Sequence, residues 1–138
     1  MKTVLFLCTG NSCRSIMAEA ILNNLGEGHW QAFSAGSMPT GQVHPEALKC
    51  IERNGMSLSN PSSQSWDDYM ERPIDIIVTV CDNAAAEACP VMPGNGEKIH
   101  WSIPDPAGLS GTAEEIKAGF QSVFNDLHGR ISKLIAEN

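Results

Sequence analysis

Apolar residues along this chain form two kinds of run. Thr3–Cys8 reads Thr-Val-Leu-Phe-Leu-Cys, and 74–80 reads Ile-Asp-Ile-Ile-Val-Thr-Val. Both are short, nearly continuous and β-prone, as strands covered on both faces should be. Trp30–Ala35 and Lys98–Trp101 are weaker strand signals, ended by Gly36 and Pro104. Elsewhere the period is helical. From Cys13 onward, Met17, Ala20, Ile21 and Leu25 recur at spacings of three and four, and Gly26 is the stop. Pro45–Asn54 reads as a helix with Pro45 in its first turn and Gly55 beyond its end. Ile116, Phe120, Val123, Leu127, Ile131 and Leu134 make one long apolar stripe, preceded by Thr112 and Glu115 in capping-box spacing. The Ser/Pro-rich stretch 60–65 is read as loop and 93–96 as an exposed turn. Strands separated by helices predict an α/β layer fold around a mostly parallel sheet. With no repeat, linker or low-complexity tail, 1–138 is read as a single domain.

Composition narrows the partners. Hydrophobic residues make up 42% of the chain and charged residues 18%, which argues against disorder. Nine basic against sixteen acidic side chains give a formal charge of −7. That argues against a nucleic-acid binder while leaving room for a small local anion site. Five cysteines, an odd number, do not make a fully paired disulfide scaffold. Met1-Lys2-Thr3 leads straight into an apolar run without a signal-peptide layout, and no apolar stretch is long enough to span a membrane. The expectation is a cytoplasmic protein with mostly reduced thiols and no membrane partner.

The densest chemistry lies between the first strand and the first helix: Cys8-Thr9-Gly10-Asn11-Ser12-Cys13-Arg14-Ser15. Open α/β sheets bind ligands at such strand-to-helix turns. Amides of the loop and helix start can cradle an anion, Gly10 allows a close turn, and Arg14 offers a planar fork to a tetrahedral oxyanion. The same field favours a thiolate at Cys8, placing a nucleophile at the floor of the cradle. Read alone, Cys8 suits a buried strand-end cysteine equally well; the loop around it and Arg14 at the sixth position after it favour the nucleophile. No lysine precedes the final serine, so the nucleotide-binding Gly-x-x-x-x-Gly-Lys-Ser/Thr pattern is not met. Cys13 has no further zinc ligands nearby and is read as a packed or loop-lining thiol, with no metal expected. Ser15 is suited to donate to Cys8, to cap the helix, or both.

Cys81 ends the second strong strand and should lie on the same sheet edge as Cys8. A helical segment from Cys81 to Cys89 would separate their Cα atoms by about 12 Å, whereas a disulfide needs roughly 4.4–6.8 Å. Pairing them would require that segment to unwind; two structural thiols are the other reading. Cys50, among core positions of a predicted helix, is read as structural. His29, His44, His100 and His128 lack ligand-spaced partners and are read as hydrogen-bonding or surface residues.

The 8–15 octapeptide closely resembles the active-site loop of low-molecular-weight protein tyrosine phosphatases. Within that fold the chain looks most like the arsenate reductases. The resemblance spans essentially the whole chain, including the opening Val-Leu-Phe-Leu-Cys, Ser34-Ala35-Gly36, Val-Thr-Val-Cys at 78–81 and Asp105-Pro106. It implies a three-layer sandwich, a four-stranded parallel sheet flanked by helices. It implies Cys8 as nucleophile, Thr9 to Ser15 as the oxyanion loop, Asp105 as general acid, and a disulfide relay from Cys8 through Cys81 to Cys89. Without the resemblance, Asp105 reads rather as a solvent-facing turn residue than as an acid. No bound cofactor is implied. An external thiol system is implied, thioredoxin or else glutaredoxin with glutathione, with arsenate and arsenite as substrate and product and phosphate or sulfate as further anions of the loop. Some members of the family bind potassium through residues resembling Asn11, Glu19 and Ser34, but Ser63-Gln64-Ser65 stands where a further acid is expected. Ala107 and Gly108 after Pro106 leave little to clamp a phenyl ring, although Trp66, Tyr69 or Trp101 could line the pocket from elsewhere. Two alternatives stay open: a phosphatase in which Cys81 and Cys89 are incidental, and a non-catalytic oxyanion-binding or redox-sensing module.

Overall fold

The computed structural model describes residues 1–58, 61–69, 72–81 and 97–138. The expected helix through 82–88, Cys89 and the 93–96 turn lie outside the described residues. The strands are β1 (Lys2–Leu7), β2 (Trp30–Ala35), β3 (Ile76–Thr79) and β4 (Glu97–His100), and the helices are α1 (Arg14–Leu25), α2 (Pro45–Arg53) and α3 (Ala113–Glu137). Short 3₁₀ turns cover Trp66–Tyr69 and Pro106–Gly108.

All strand pairs are parallel, in the order β2-β1-β3-β4. The fold is an α/β sandwich, a four-stranded parallel sheet flanked by helices, as the sequence predicts. β1 and β3 are fully covered along Val4–Leu7 and Ile76–Thr79, which is why both read as unbroken apolar runs. α1 packs on β1 and β2, while α2 and α3 pack against α1. The α3 stripe buries Phe120, Val123, Phe124, Leu127, Ile131 and Leu134. Thr112 caps α3 by accepting from the Glu115 amide at 3.2 Å.

Several boundaries differ from the expected ones for local reasons. β3 begins at Ile76 rather than Ile74, because the Asp75 carboxylate turns to accept from the Thr3 amide at 2.8 Å. β1 begins earlier, at Lys2, whose amide donates to the His29 carbonyl at 3.1 Å. His44, read as a hydrogen-bonding or surface residue, caps α2: its Nδ1 accepts from the Glu46 amide at 3.1 Å. Among the described residues no helix is long and apolar enough to cross a membrane.

The chain leaves β1 toward β2 on one side and returns to β3 on the other. The C-terminal ends of β1 and β3 therefore flank the point where strand order reverses, the place where open α/β sheets form a crevice. Cys8 follows β1, and Cys81 follows β3 by two residues.

Candidate active site

Cys8 sits at the mouth of this crevice, buried to 3% exposure, with its sulfur 3.0 Å from Ser15 Oγ. Ser15 Oγ also accepts from Asn11 Nδ2 at 2.8 Å. Asn11 adopts a left-handed backbone (φ 47°), a conformation that asparagine tolerates better than most side chains. Its Oδ1 accepts from the Gln64 amide at 2.6 Å, so the loop is pinned from the 61–65 segment.

The outer side of the loop is tied through its carbonyls. Met38, Thr40 and His44 donate their amides to the carbonyls of Thr9, Gly10 and Ser12 at 3.0, 3.0 and 2.9 Å, and Ser63 Oγ donates to the Gly10 carbonyl at 3.2 Å. With these carbonyls turned outward, the amides of residues 10–13 and 15 have no hydrogen-bond partner among the described residues, and that of Arg14 meets the Cys13 sulfur. α1 adds to this, since its N-cap Cys13 supplies no side-chain cap. Gly36 makes the close approach possible. A Cβ there would lie 2.4 Å from the Thr9 carbonyl oxygen and 2.6 Å from that of Cys8.

Arg14 reaches across the crevice, donating from one guanidinium nitrogen to the Ile103 carbonyl at 2.9 Å and lying 3.7 Å from Asp105 Oδ2. Its Nε is buried without a hydrogen-bond partner among the described residues. An unpartnered guanidinium nitrogen beside a ring of open amides suits a tetrahedral oxyanion. Asp105 is half-exposed, and its Oδ1 lies 3.7 Å from Cys13 Sγ. Burial first, then the charge of Asp105, pushes the Cys13 thiol up to about 11. Cys13 thus lines the loop as a protonated thiol.

The second thiol faces the same space. Cys81 Sγ receives the Thr9 amide at 3.3 Å and lies 3.6 Å from Thr9 Oγ1. A cavity of about 530 Å³ is bounded by Cys8, Thr9–Gly10, Ser12–Arg14, Thr40, Cys81 and Asp105. The structure therefore gathers Cys8, Arg14, Cys81 and Asp105 around one space. Asn11 and Ser15 stand behind the loop as supports rather than in the lining. Cys89 lies outside the described residues. Cys50 is buried in the core, as expected of a structural thiol.

The aromatic residues do not line the described cavity. Tyr69 packs on Phe33 at 5.3 Å and Trp101 on Phe6 at 6.2 Å between centroids, and Trp66 packs against the core. Thr40, Gln64 and the Ile103 carbonyl were not among the expected site residues. They reach the loop only through long-range folding and carry no local motif.

The oxygen set raised by the potassium resemblance is committed elsewhere. Ser34 Oγ donates to Glu19 at 2.5 Å, Tyr69 OH donates to Gln64 Oε1 at 2.8 Å, and Asn11 Oδ1 is occupied by the Gln64 amide. Burial pushes the Glu19 carboxyl up to about 7 against the opposing Ser34 hydrogen bonds. These residues do not fit a potassium cage, and among the described residues no cluster of His, Cys, Asp or Glu is placed to hold a metal.

The family model for low molecular weight phosphotyrosine protein phosphatase matches residues 3–137. The chain belongs to that family. An arsenate reductase of Halalkalibacterium halodurans is 40% identical over 136 residues, covering 99% of this chain and 96% of its own. Within the phosphatase family, this chain therefore falls with the arsenate reductases. An arsenate reductase solved in a phosphate-binding state superposes with a TM-score of 0.78 at 30% identity, covering 99% of this chain and 98% of the other. A low molecular weight protein tyrosine phosphatase from T. tengcongensis shares the fold at a TM-score of 0.86 and 24% identity, with both chains fully covered.

Proposed function

We propose that this chain is a cytoplasmic arsenate reductase that turns arsenate into arsenite by a thiol relay. The observation that carries the reading is the presence of a second sulfur, Cys81, in the same cavity as Cys8 and within hydrogen-bond reach of Thr9. Ester hydrolysis at Cys8 needs no such thiol; reduction of arsenic does.

Arsenate enters the ring of amides that begins at Gly10 and takes the free face of the Arg14 guanidinium. The Cys8 sulfur attacks arsenic, an As–O bond breaks, and Asp105 supplies the proton that lets the oxygen leave as water. Cys81 then attacks the Cys8 sulfur. The Cys8–Cys81 disulfide forms, the S–As electron pair stays on arsenic, and arsenic(V) leaves as arsenite, arsenic(III). Cys89 attacks Cys81, freeing Cys8 and leaving a Cys81–Cys89 disulfide. An external dithiol protein reduces that bond by exchange and is itself oxidised. Thioredoxin suits the dithiol relay better than glutaredoxin with glutathione. No bound cofactor, metal, nucleic acid or membrane takes part. Phosphate or sulfate would occupy the same loop, consistent with the phosphate-binding state of the similar reductase.

The second reading is phosphatase activity, favoured by one observation: Cys8, Arg14 and Asp105 already form a set sufficient for phosphoryl transfer. The experiment follows NADPH consumption driven by arsenate with thioredoxin and its reductase, or with glutathione and glutaredoxin, for wild type and for Cys8→Ser, Cys81→Ser and Cys89→Ser. The relay requires each serine variant to stop multiple turnover. Normal turnover of both Cys81→Ser and Cys89→Ser would sink it, and rapid aryl phosphate hydrolysis without arsenate reduction would establish the phosphatase.

A further inference from the structure

We propose that Leu109 and Gly119 are positioning residues for Asp105: a leucine seated in a side-chain-free notch of α3 holds the 105–109 turn over the anion cavity. This rests on the acid role proposed above.

The turn that follows Asp105 is a single 3₁₀ step, closed by the Leu109 amide on the Pro106 carbonyl at 3.2 Å. Two of its side chains hold it down. Pro106 is buried, and Leu109, which is 45% exposed, presses one flank on α3 at Gly119. The fit there is close: a Cβ on Gly119 would lie 2.0 Å from Leu109 Cδ1 and 3.5 Å from its Cγ. Glycine is disfavoured inside a helix, so its place in α3 calls for a packing reason, and the leucine supplies one. Under the rest of the turn the packing is incomplete. A cleft of about 220 Å³ lies between the start of α2 and α3, bordered by His44, Ile116 and Phe120 as well as Pro106 and Leu109. With that space beneath it, the contacts of Pro106 and of Leu109 at Gly119 bear on where the turn sits. Asp105 precedes Pro106 directly, so a shift of the turn carries the carboxyl away from Arg14, now 3.7 Å distant.

The test measures the single-turnover rate of arsenite formation for Leu109→Ala, Gly119→Ala and Leu109→Met, each in the wild-type and Asp105→Asn backgrounds, with melting temperatures. Asp105→Asn is expected to slow the reaction about 100-fold. Leu109→Ala is expected to slow it about tenfold with the arsenate KM unchanged, because misplacing a proton donor costs rate rather than binding. In the Asp105→Asn background the same change should have no effect. Leu109→Met should recover most of the rate. Gly119→Ala should slow the reaction while leaving the melting temperature unchanged or raised, since alanine favours the helix. Equal slowing by Leu109→Ala in both backgrounds, or no slowing by Leu109→Ala and Gly119→Ala while Asp105→Asn is slow, overturns the anchor alone. An Asp105→Asn variant with the wild-type rate overturns the acid role and the anchor with it.

Discussion

Glu19→Gln should stabilise this protein, and only above mildly acidic pH. Glu19 lies on α1 one turn beyond Ser15, with Ser34 Oγ donating to its carboxyl. Among the described residues no Lys or Arg lies within ion-pair distance of it. Burial therefore penalises the charged form by more than the Ser34 hydrogen bonds offset, and its pKa moves from 4.5 to about 7. Between those values the folded state holds the proton more tightly than the unfolded chain, so stability falls as pH rises through this window and levels off above it. At about 1.36 kcal/mol per pH unit, the loss amounts to about 3 kcal/mol. Glutamine keeps an oxygen for the Ser34 hydroxyl and cannot ionise. The variant should match wild type below pH 4.5 and exceed it by about 3 kcal/mol at pH 8. Urea unfolding under reducing conditions, followed by tryptophan fluorescence at half-unit steps from pH 4.5 to 8, reads this directly. A difference independent of pH, or a variant less stable than wild type at pH 8, would refute the reasoning.

Gly36→Ala should destabilise the protein and disable the site together, because the new Cβ meets backbone oxygens of Thr9 and Cys8 that cannot step aside as a side chain can; a loss of about 2 kcal/mol or more is expected in urea unfolding. Cys13, held near 11, should resist iodoacetamide at pH 8, and peptide mass spectrometry should show its labelling climbing about tenfold per pH unit without a plateau below pH 10. Asp105→Asn should speed that labelling, since the charge of Asp105 is among the causes of the shift. Arg14→Lys should raise the arsenate KM about 10- to 100-fold, because an ammonium cannot replace a planar fork, as steady-state kinetics would show.

What was legible in the sequence follows from what is local. β1 and β3 declared themselves because both faces are covered, and α3 because a single face is. The 8–15 loop was legible because an anion cradle needs a small-residue turn and an arginine within one short stretch. The parts that were not legible are made by distant segments. The 38–44 strap that turns the loop carbonyls outward carries no motif. Neither does the Gln64 amide on Asn11, nor the Ile103 carbonyl on Arg14. The notch at Gly119 reads in sequence only as a glycine interrupting a helix. Its partner, Leu109, lies ten residues away.

The same strap answers a difficulty that the composition raises. A chain with a formal charge of −7 repels oxyanions at long range. Attraction has to arise within a few ångströms, and it arises by orientation more than by added charge. The outer contacts consume the carbonyls of Thr9, Gly10 and Ser12, which leaves N–H groups of the loop as uncompensated dipole ends. Arg14 adds the one basic side chain that lines that space among the described residues, partly engaged by Asp105 and the Ile103 carbonyl. A cradle built this way selects for an anion small enough to touch several amides at once. Tyr69 and Trp101 are packed on Phe33 and Phe6, so neither adds a hydrophobic wall for a bulky ester. The lining suits arsenate on both counts, and in the relay proposed above the sulfur of Cys81 beside it is the second thiol.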